Sequence, residues 1–156
     1  MNYNLDQITN DNFQDILMTE LKYSPENIND AFVDQPAKFA YWATLAAQAK
    51  ALVQEKTLEV EHQEDYMKKT LYGKLDSQIR EELEQNNKKS TEARITGLIV
   101  SNPEYLGELD ELHRLQEQLL KLQHKYSLLS IAKEAFIQRK DMIISLGANL
   151  RQDVNN

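Results

Sequence analysis

The chain has 156 residues and a net charge of −7, with 41% apolar residues, four Gly, three Pro and no Cys. The lack of Cys excludes a disulfide framework and a thiolate metal site. No run reaches the roughly 18 apolar residues that a membrane span needs, and the polar, acidic start does not resemble a secretion signal. These two observations predict a cytoplasmic protein without a membrane partner. Few helix breakers among many Leu, Ala, Glu, Gln and Lys predict an all-α fold.

The charge is unevenly distributed along the chain. Residues 1–65 carry 4 basic and 12 acidic side chains, a net charge of −8, whereas residues 66–119 carry 8 and 10, a net charge of −2. Residues 120–156 carry 6 and 3, a net charge of +3. An asymmetry of this kind is a signal that the chain binds a charged partner.

The first third of the chain predicts short elements. Residues 1–9 show no periodicity and are expected to fray. An amphipathic helix is predicted from Asn10 to about Tyr23, and Ser24-Pro25 reads as the cap and first residue of a second short helix. This second helix is expected to end at Asp34–Pro36. We therefore predict that residues 1–34 form an acidic N-terminal arm.

Two long helices are predicted after this arm. The first runs from Pro36 to about Gln85, with apolar or small residues at intervals of three, four and seven. A polar break, residues 86–90, is followed by a short corner helix over residues 91–101. Asn102-Pro103 then caps the second long helix, which runs to about Leu146. Its apolar seam repeats every seven residues over five heptads: Leu115, Leu122, Leu129, Phe136 and Ile143.

The assembly follows from the apolar surface of these helices. The turn at Pro103 can fold the two long helices into an antiparallel hairpin or coiled coil with the corner helix at its end. We predict that residues 35–151 form this domain and that residues 152–156 are a disordered tail. A two-helix hairpin leaves much apolar surface uncovered, which favours a homo-oligomer.

A basic stretch is the main candidate for a binding site. Its cations lie within 27 residues and are interleaved with Tyr66 and Tyr72: Lys68, Lys69, Lys74, Arg80, Lys88, Lys89 and Arg94. Basic side chains contact phosphates, and aromatic rings stack on unpaired bases. Acidic residues lie in the same span, so the alternative is an ordinary solvated helix face with i,i+4 ion pairs.

No pattern in the sequence indicates an enzyme. The four Gly residues are isolated, so there is no phosphate-binding loop, and no nucleophile elbow occurs. Asp110 and His113 are three residues apart, but no second such pair exists to complete a di-metal site. We expect no cofactor, no metal, no catalytic residue and no small-molecule substrate.

Two stretches give the chain a resemblance to a known family. The first is Phe39-Ala40-Tyr41-Trp42-Ala43-Thr44-Leu45, which opens a long helix that leads into Tyr66-Met67-Lys68-Lys69-Thr70-Leu71-Tyr72-Gly73. The second is the set Ala132, Ala135, Phe136, Arg139, Ile143 and Leu146. Over residues 35–151 the chain resembles the phage recombination mediators of the UvsY type.

The resemblance implies a non-enzymatic protein of DNA recombination, repair and replication. Such proteins are helical oligomers that bind single-stranded DNA and load a RecA-like recombinase onto strands coated by a single-strand-binding protein. By position, the resemblance implies phosphate contacts for Lys68 and Lys69 and a place for Tyr72 in the DNA-binding stretch. It also implies that Phe136, Arg139 and Ile143 lie in the assembly helix. A phage-encoded protein would act in the host cytoplasm. The alternative is a structural or adaptor coiled-coil protein that does not bind nucleic acid.

Overall fold

The computed structural model describes residues 3–89 and 91–154. Helix accounts for 89% of the chain, and no strand occurs in the described part, so the protein is all-α as predicted. The elements, in chain order, are α1 (Asn10–Leu21), a 3₁₀ turn (Pro25–Asn27), α2 (Ile28–Asp65), a π-helical segment (Tyr66–Leu71), α3 (Tyr72–Gln85), α4 (Glu92–Val100) and α5 (Pro103–Val154).

The chain divides into two compact units. Unit 1 combines Met1–Val53 with Lys121–Asn156, and unit 2 is the intervening segment Gln54–Leu120. The long helices α2 and α5 each contribute one part to unit 1 and another to unit 2. Each unit has its own buried cluster of apolar side chains.

The core of unit 1 is built around Trp42, which has no exposed surface. Its ring stacks on Phe136 of α5 at a centroid distance of 6.1 Å and meets Phe13 of α1 edge-on at 6.4 Å. Ala46 and Ala49 are buried in the same cluster. Because these side chains are small, α2 can approach its neighbours closely.

The N-terminal residues belong to this core. Ile8 is 1% exposed and packs in the same cluster as Trp42. Lys125 donates a 2.7 Å hydrogen bond to the Leu5 carbonyl, and the Tyr41 hydroxyl donates to the Tyr3 carbonyl. The prediction that the start of the chain frays is therefore wrong for residues 3–9, because apolar packing and side-chain donors hold this segment; residues 1–2 lie outside the described part.

Helix α2 continues through Pro36, where the sequence predicted that one helix ends and the next begins. The predicted boundary between residues 34 and 35 consequently falls inside α2. A proline in a helix interior costs about 3 kcal/mol because it removes a hydrogen bond and crowds the preceding turn. Ala31 before the proline and Trp42 after it are both buried. Because most helical stability in proteins comes from tertiary packing, burying both side chains from one continuous helix offsets that cost.

Unit 2 contains the corner. Leu71, Leu75, Ile79 and Leu83 line one side of the π-helical segment and α3, and they pack against Ile95 and Ile99 of α4. Tyr105, near the start of α5, covers the edge of this cluster. These apolar side chains, spaced by four residues, therefore form the stripe that packs α3 against α4.

Local signals account for the ends of the corner helices. α3 ends at Gln85, where Asn87 adopts the left-handed conformation with φ 52°. The Lys88 amide then donates to the Leu83 carbonyl at 3.0 Å, which is the Schellman arrangement. At the start of α4, the Thr91 hydroxyl accepts a hydrogen bond from the Arg94 amide.

α5 begins at Pro103 as predicted but extends to Val154, past the predicted end near Leu146. The predicted tail thus starts inside α5, and residues 155–156 lie outside the described part.

Candidate nucleic-acid interface

All eight side chains predicted to bind DNA lie in unit 2. They divide by environment into three groups: two lysines on the π-helical segment, three residues that tie the corner helices together, and three cations around the turn between α3 and α4. The groups differ in whether a carboxylate already neutralises the cation.

The first group occupies the π-helical segment. Met67 and Leu71 face the core there, whereas the side chains of Lys68 and Lys69 are 71% and 72% exposed. Each lysine comes four residues after an acidic residue. Because the segment follows α2 without a break, each pair of side chains lies about one helical turn apart and can meet. Lys68 pairs with Glu64 at 3.3 Å, and Lys69 pairs with Asp65 at 2.6 Å.

These two pairs have the i,i+4 geometry expected for an ordinary solvated helix face, which was the alternative to a binding site. The hydrogen bond from Lys69 lowers the pKa of the Asp65 carboxyl below its ordinary value. Exposed pairs of this kind contribute little to stability and are screened by salt. The two lysines are therefore held only weakly by their carboxylates. Tyr66, the first residue of the segment, is 38% exposed.

The second group cross-links helices. Lys74 of α3 pairs with Glu104 of α5 at 2.7 Å, and this hydrogen bond raises the pKa of the Lys74 ammonium. Tyr72 packs on the corner cluster, and its hydroxyl lies 3.4 Å from that of Thr96 in α4. Both side chains are engaged in joining elements that are far apart in the sequence.

Arg80 belongs to the same group. Its Nε donates to Asp76 at 2.9 Å, and its Nη2 donates to both carboxylate oxygens of Glu92 at 2.8 and 3.0 Å. Hydrogen bonds to Asp76 and Glu92 raise the pKa of this guanidinium. The pair with Glu92 joins α3 to α4, so Arg80 has a structural use that the sequence did not indicate.

The third group surrounds the turn after α3. Lys88, Lys89 and Arg94 are exposed, and none of them forms an ion pair with a carboxylate in the described part of the chain. Arg94 donates to the Lys89 carbonyl at 3.4 Å, which keeps its guanidinium beside the turn. Lys88 and Arg94 line a cleft of about 390 Å³, whose wall also contains Glu82.

The residues predicted for oligomerisation are used inside the chain. Leu115, Leu129, Phe136 and Ile143 are each 8% exposed or less, and Leu122 is half-buried. Leu129 and Phe136 pack in the core of unit 1, so part of this seven-residue repeat is buried within the chain. A heptad repeat cannot distinguish a neighbour in the same chain from one in a second copy, because both bury the same stripe.

Arg139, the sixth of these residues, is a buried cation at 4% exposure. Its Nε donates to the Leu21 carbonyl at 3.1 Å, where α1 ends, and its Nη1 donates to the Gln35 side chain. Its guanidinium lies 5.3 Å from the centre of the Tyr23 ring. Burial lowers the pKa of this guanidinium. Its hydrogen-bond acceptors are neutral, and the negative charges of Asp34 and Glu20 together with the negative end of the α1 dipole favour the cation.

Two classes of feature are not found in the described residues. No helix there is both long and apolar enough to cross a membrane. No group of three or more His, Asp or Glu side chains is placed to hold a metal ion among residues 3–89 and 91–154. Comparisons with protein-family models, curated proteins and solved structures found no match for this chain.

Proposed function

We propose that this chain is a non-enzymatic, single-stranded-DNA-binding accessory protein of recombination. The observation that carries the proposal is the group of exposed cations Lys88, Lys89 and Arg94, which form no ion pair with a carboxylate in the described part of the chain. In a chain with a net charge of −7, such a group is available to phosphate. Phosphate contacts supply most of the affinity of nonspecific nucleic-acid binding.

We propose that the π-helical segment, which lies in the same unit, supplies further phosphate contacts. Lys68 and Lys69 can exchange their exposed carboxylate partners for phosphates at little cost, because exposed ion pairs contribute little to stability. Tyr66 supplies an exposed ring on which a base can stack. π-Helical turns occur frequently at functional sites. Lys74, Arg80 and Tyr72 instead support the corner, so their replacement is expected to act through stability.

Assembly would strengthen this modest patch. We propose the antiparallel hairpin and the homo-oligomer predicted from the sequence, with a different contact surface from the buried heptad seam. Exposed apolar side chains on α5, such as Ile131 at 57% and Met142 at 61% exposure, are available to a second copy. Repeating the cationic group in each copy gives a multivalent site whose avidity exceeds that of one patch.

The role in recombination is proposed from the resemblance to UvsY-type mediators. An assembled scaffold that binds one geometry of single-stranded DNA lowers the free energy of that geometry. A single-strand-binding protein that prefers another geometry is weakened, and a RecA-like recombinase that prefers the same one is favoured. The recombinase supplies the ATP hydrolysis, and the chain itself needs no catalytic group or cofactor.

The test is fluorescence anisotropy of a labelled single-stranded oligonucleotide across a salt series, with duplex DNA as a comparison. Replacing Lys88, Lys89 and Arg94 by Ala removes three phosphate contacts, so the slope of log K against log salt should fall by about 2, at about 0.7 per contact. The matched control is Lys22→Ala, Lys50→Ala and Lys140→Ala in unit 1, which changes the net charge equally. An equal fall in the control variant would show that overall charge, and not this site, determines binding.

The structure also favours a second candidate, an adaptor that never binds nucleic acid. The observation in its favour is the neutralisation of Lys68, Lys69, Lys74 and Arg80 by carboxylates of the same chain. On this hypothesis the wild-type protein leaves the anisotropy of the oligonucleotide unchanged even at low salt, although sedimentation shows that it is folded and assembled.

The recombinase step of the first candidate function is tested separately, by the ATPase rate of a RecA-like recombinase on coated single strands with and without the protein.

A further inference from the structure

Unit 1 carries an apolar groove that neither its core nor the proposed DNA site uses. Two adjoining hollows, of about 810 and 420 Å³, share the ring of Phe32. They lie between residues 28–39 of α2 and residues 136–151 of α5, and we call them together the Phe32 groove. Phe32 is 40% exposed, Val33 78% and Ile144 47%. Exposed apolar surface concentrated in a groove marks an interaction site.

Gly147 shapes the floor of the groove. A Cβ atom at this position would lie 3.3 Å from Cε2 of Phe32, which is closer than ordinary van der Waals contact. The missing side chain lets the Phe32 ring lie against α5 and leaves hollows on both sides of it. The other glycines of the chain, Gly73, Gly97 and Gly107, have no neighbouring atom within 4 Å of such a Cβ.

The charge at the groove has one sign. Lys140 and Arg151 are the charged side chains among the described residues that line it, in a chain with a net charge of −7. Lys140 pairs with its chain neighbour Asp141 at 3.4 Å, but both side chains are more than half exposed, so this pair is weak. Arg151 donates to the Gly147 carbonyl at 3.0 Å, which holds it at the rim. An apolar centre with a cationic rim complements an apolar segment that carries acidic flanks.

The dimensions indicate the form of that segment. The α2 wall from residue 28 to residue 39 is about 17 Å long at 1.5 Å per residue, which corresponds to roughly three turns of a docked helix. Helices bind such grooves through apolar anchors at positions i, i+3 or i+4, and i+7. We propose that the Phe32 groove binds an amphipathic helix of a partner protein, with acidic residues on either side of its apolar face. This site is independent of the proposed DNA site, which lies in unit 2.

The test uses the full-length chain as bait for a displayed library of 14-residue helical peptides. Each peptide has four apolar anchors, and its flanks carry Glu, Gln or Lys. We expect enrichment of Glu-flanked peptides and about tenfold tighter binding of these than of their Lys-flanked counterparts. Val33→Asp should weaken binding at least about tenfold, because it places a charge among the anchors. Leu58→Asp is the matched control, since Leu58 is also on α2, is 56% exposed and lies in unit 2.

A charge reversal gives the decisive comparison. Lys140→Glu with Arg151→Glu should shift the preference from Glu-flanked to Lys-flanked peptides, while circular dichroism shows unchanged helix content. Equal binding of both peptide classes, or equal weakening by Val33→Asp and Leu58→Asp, would overturn the proposal. It would also be overturned if Val33→Asp splits an assembled species into smaller ones, because the groove would then hold a second copy. Loss of single-stranded-DNA binding in Val33→Asp would assign the groove to nucleic acid.

Discussion

Replacing Arg139 by Met distinguishes a role in the fold of unit 1 from the role in assembly that the resemblance implies. The guanidinium supplies donors to two acceptors, the Leu21 carbonyl and the Gln35 side chain. Leaving a buried acceptor without a donor costs about 1–3 kcal/mol. Met keeps most of the buried aliphatic stem and removes the penalty of burying a charge, which offsets part of that cost.

The expected net loss is about 3 kcal/mol in the free energy of unfolding. For a chain of this size, about 2–4 °C of melting temperature corresponds to each kcal/mol, so the midpoint should fall by about 6–12 °C. The assay is thermal unfolding followed by circular dichroism, with urea unfolding as a second measure. Lys140→Met is the matched control: its side chain is 54% exposed, and we expect a change within about 0.5 kcal/mol.

A double-mutant cycle sharpens this prediction. Gln35→Met removes one of the two orphaned acceptors, so combining it with Arg139→Met should cost less than the sum of the single changes. Gln35 also donates to the Phe136 carbonyl, which the single Gln35→Met variant measures by itself. A melting temperature within about 1 °C of the wild type would refute the reasoning. So would a variant that loses assembled mass in sedimentation without losing stability, since Arg139 would then act between copies.

The other predictions concern the glycines of α5 and a surface carboxyl. Gly107→Ala should raise the free energy of unfolding by up to about 1 kcal/mol, because Ala has the higher helix propensity; Gly147→Ala should show a smaller gain or a loss in the same urea titration, because its Cβ meets Phe32. The pKa of Asp65, measured by NMR titration, should lie below 3.8 and return towards that value in Lys69→Gln. Because the folded-state pKa is depressed, this interaction favours folding above pH 3.8 and is lost as the pH falls through the folded value. An unchanged Asp65 pKa in Lys69→Gln would contradict the pairing. If Lys69 leaves Asp65 to bind a phosphate, saturating single-stranded DNA should raise the Asp65 pKa.

Part of the candidate site could be predicted from sequence alone. The i,i+4 pairs of Lys68 and Lys69 follow from spacing on a helix, and the polar turn after Gln85 follows from its composition. The partner of Lys74 could not be predicted, because Glu104 is 30 residues away and lies on another helix. Whether a lysine is available to phosphate depends on such distant partners, and the spacing of residues within one helix does not predict them.

The sequence by itself determined the helical class, the start of α5 at Pro103 and the end of α3 at Gln85. These features depend on periodicity and capping within a few residues, so they can be read locally. Only the tertiary structure decided that α2 passes through Pro36 and that Ile8 joins the core. It also showed that Leu129 and Phe136 of the heptad seam pack in the core of unit 1. In each case burial against segments distant in sequence outweighs the local preference, because packing energy is set by the neighbours that a residue meets in space.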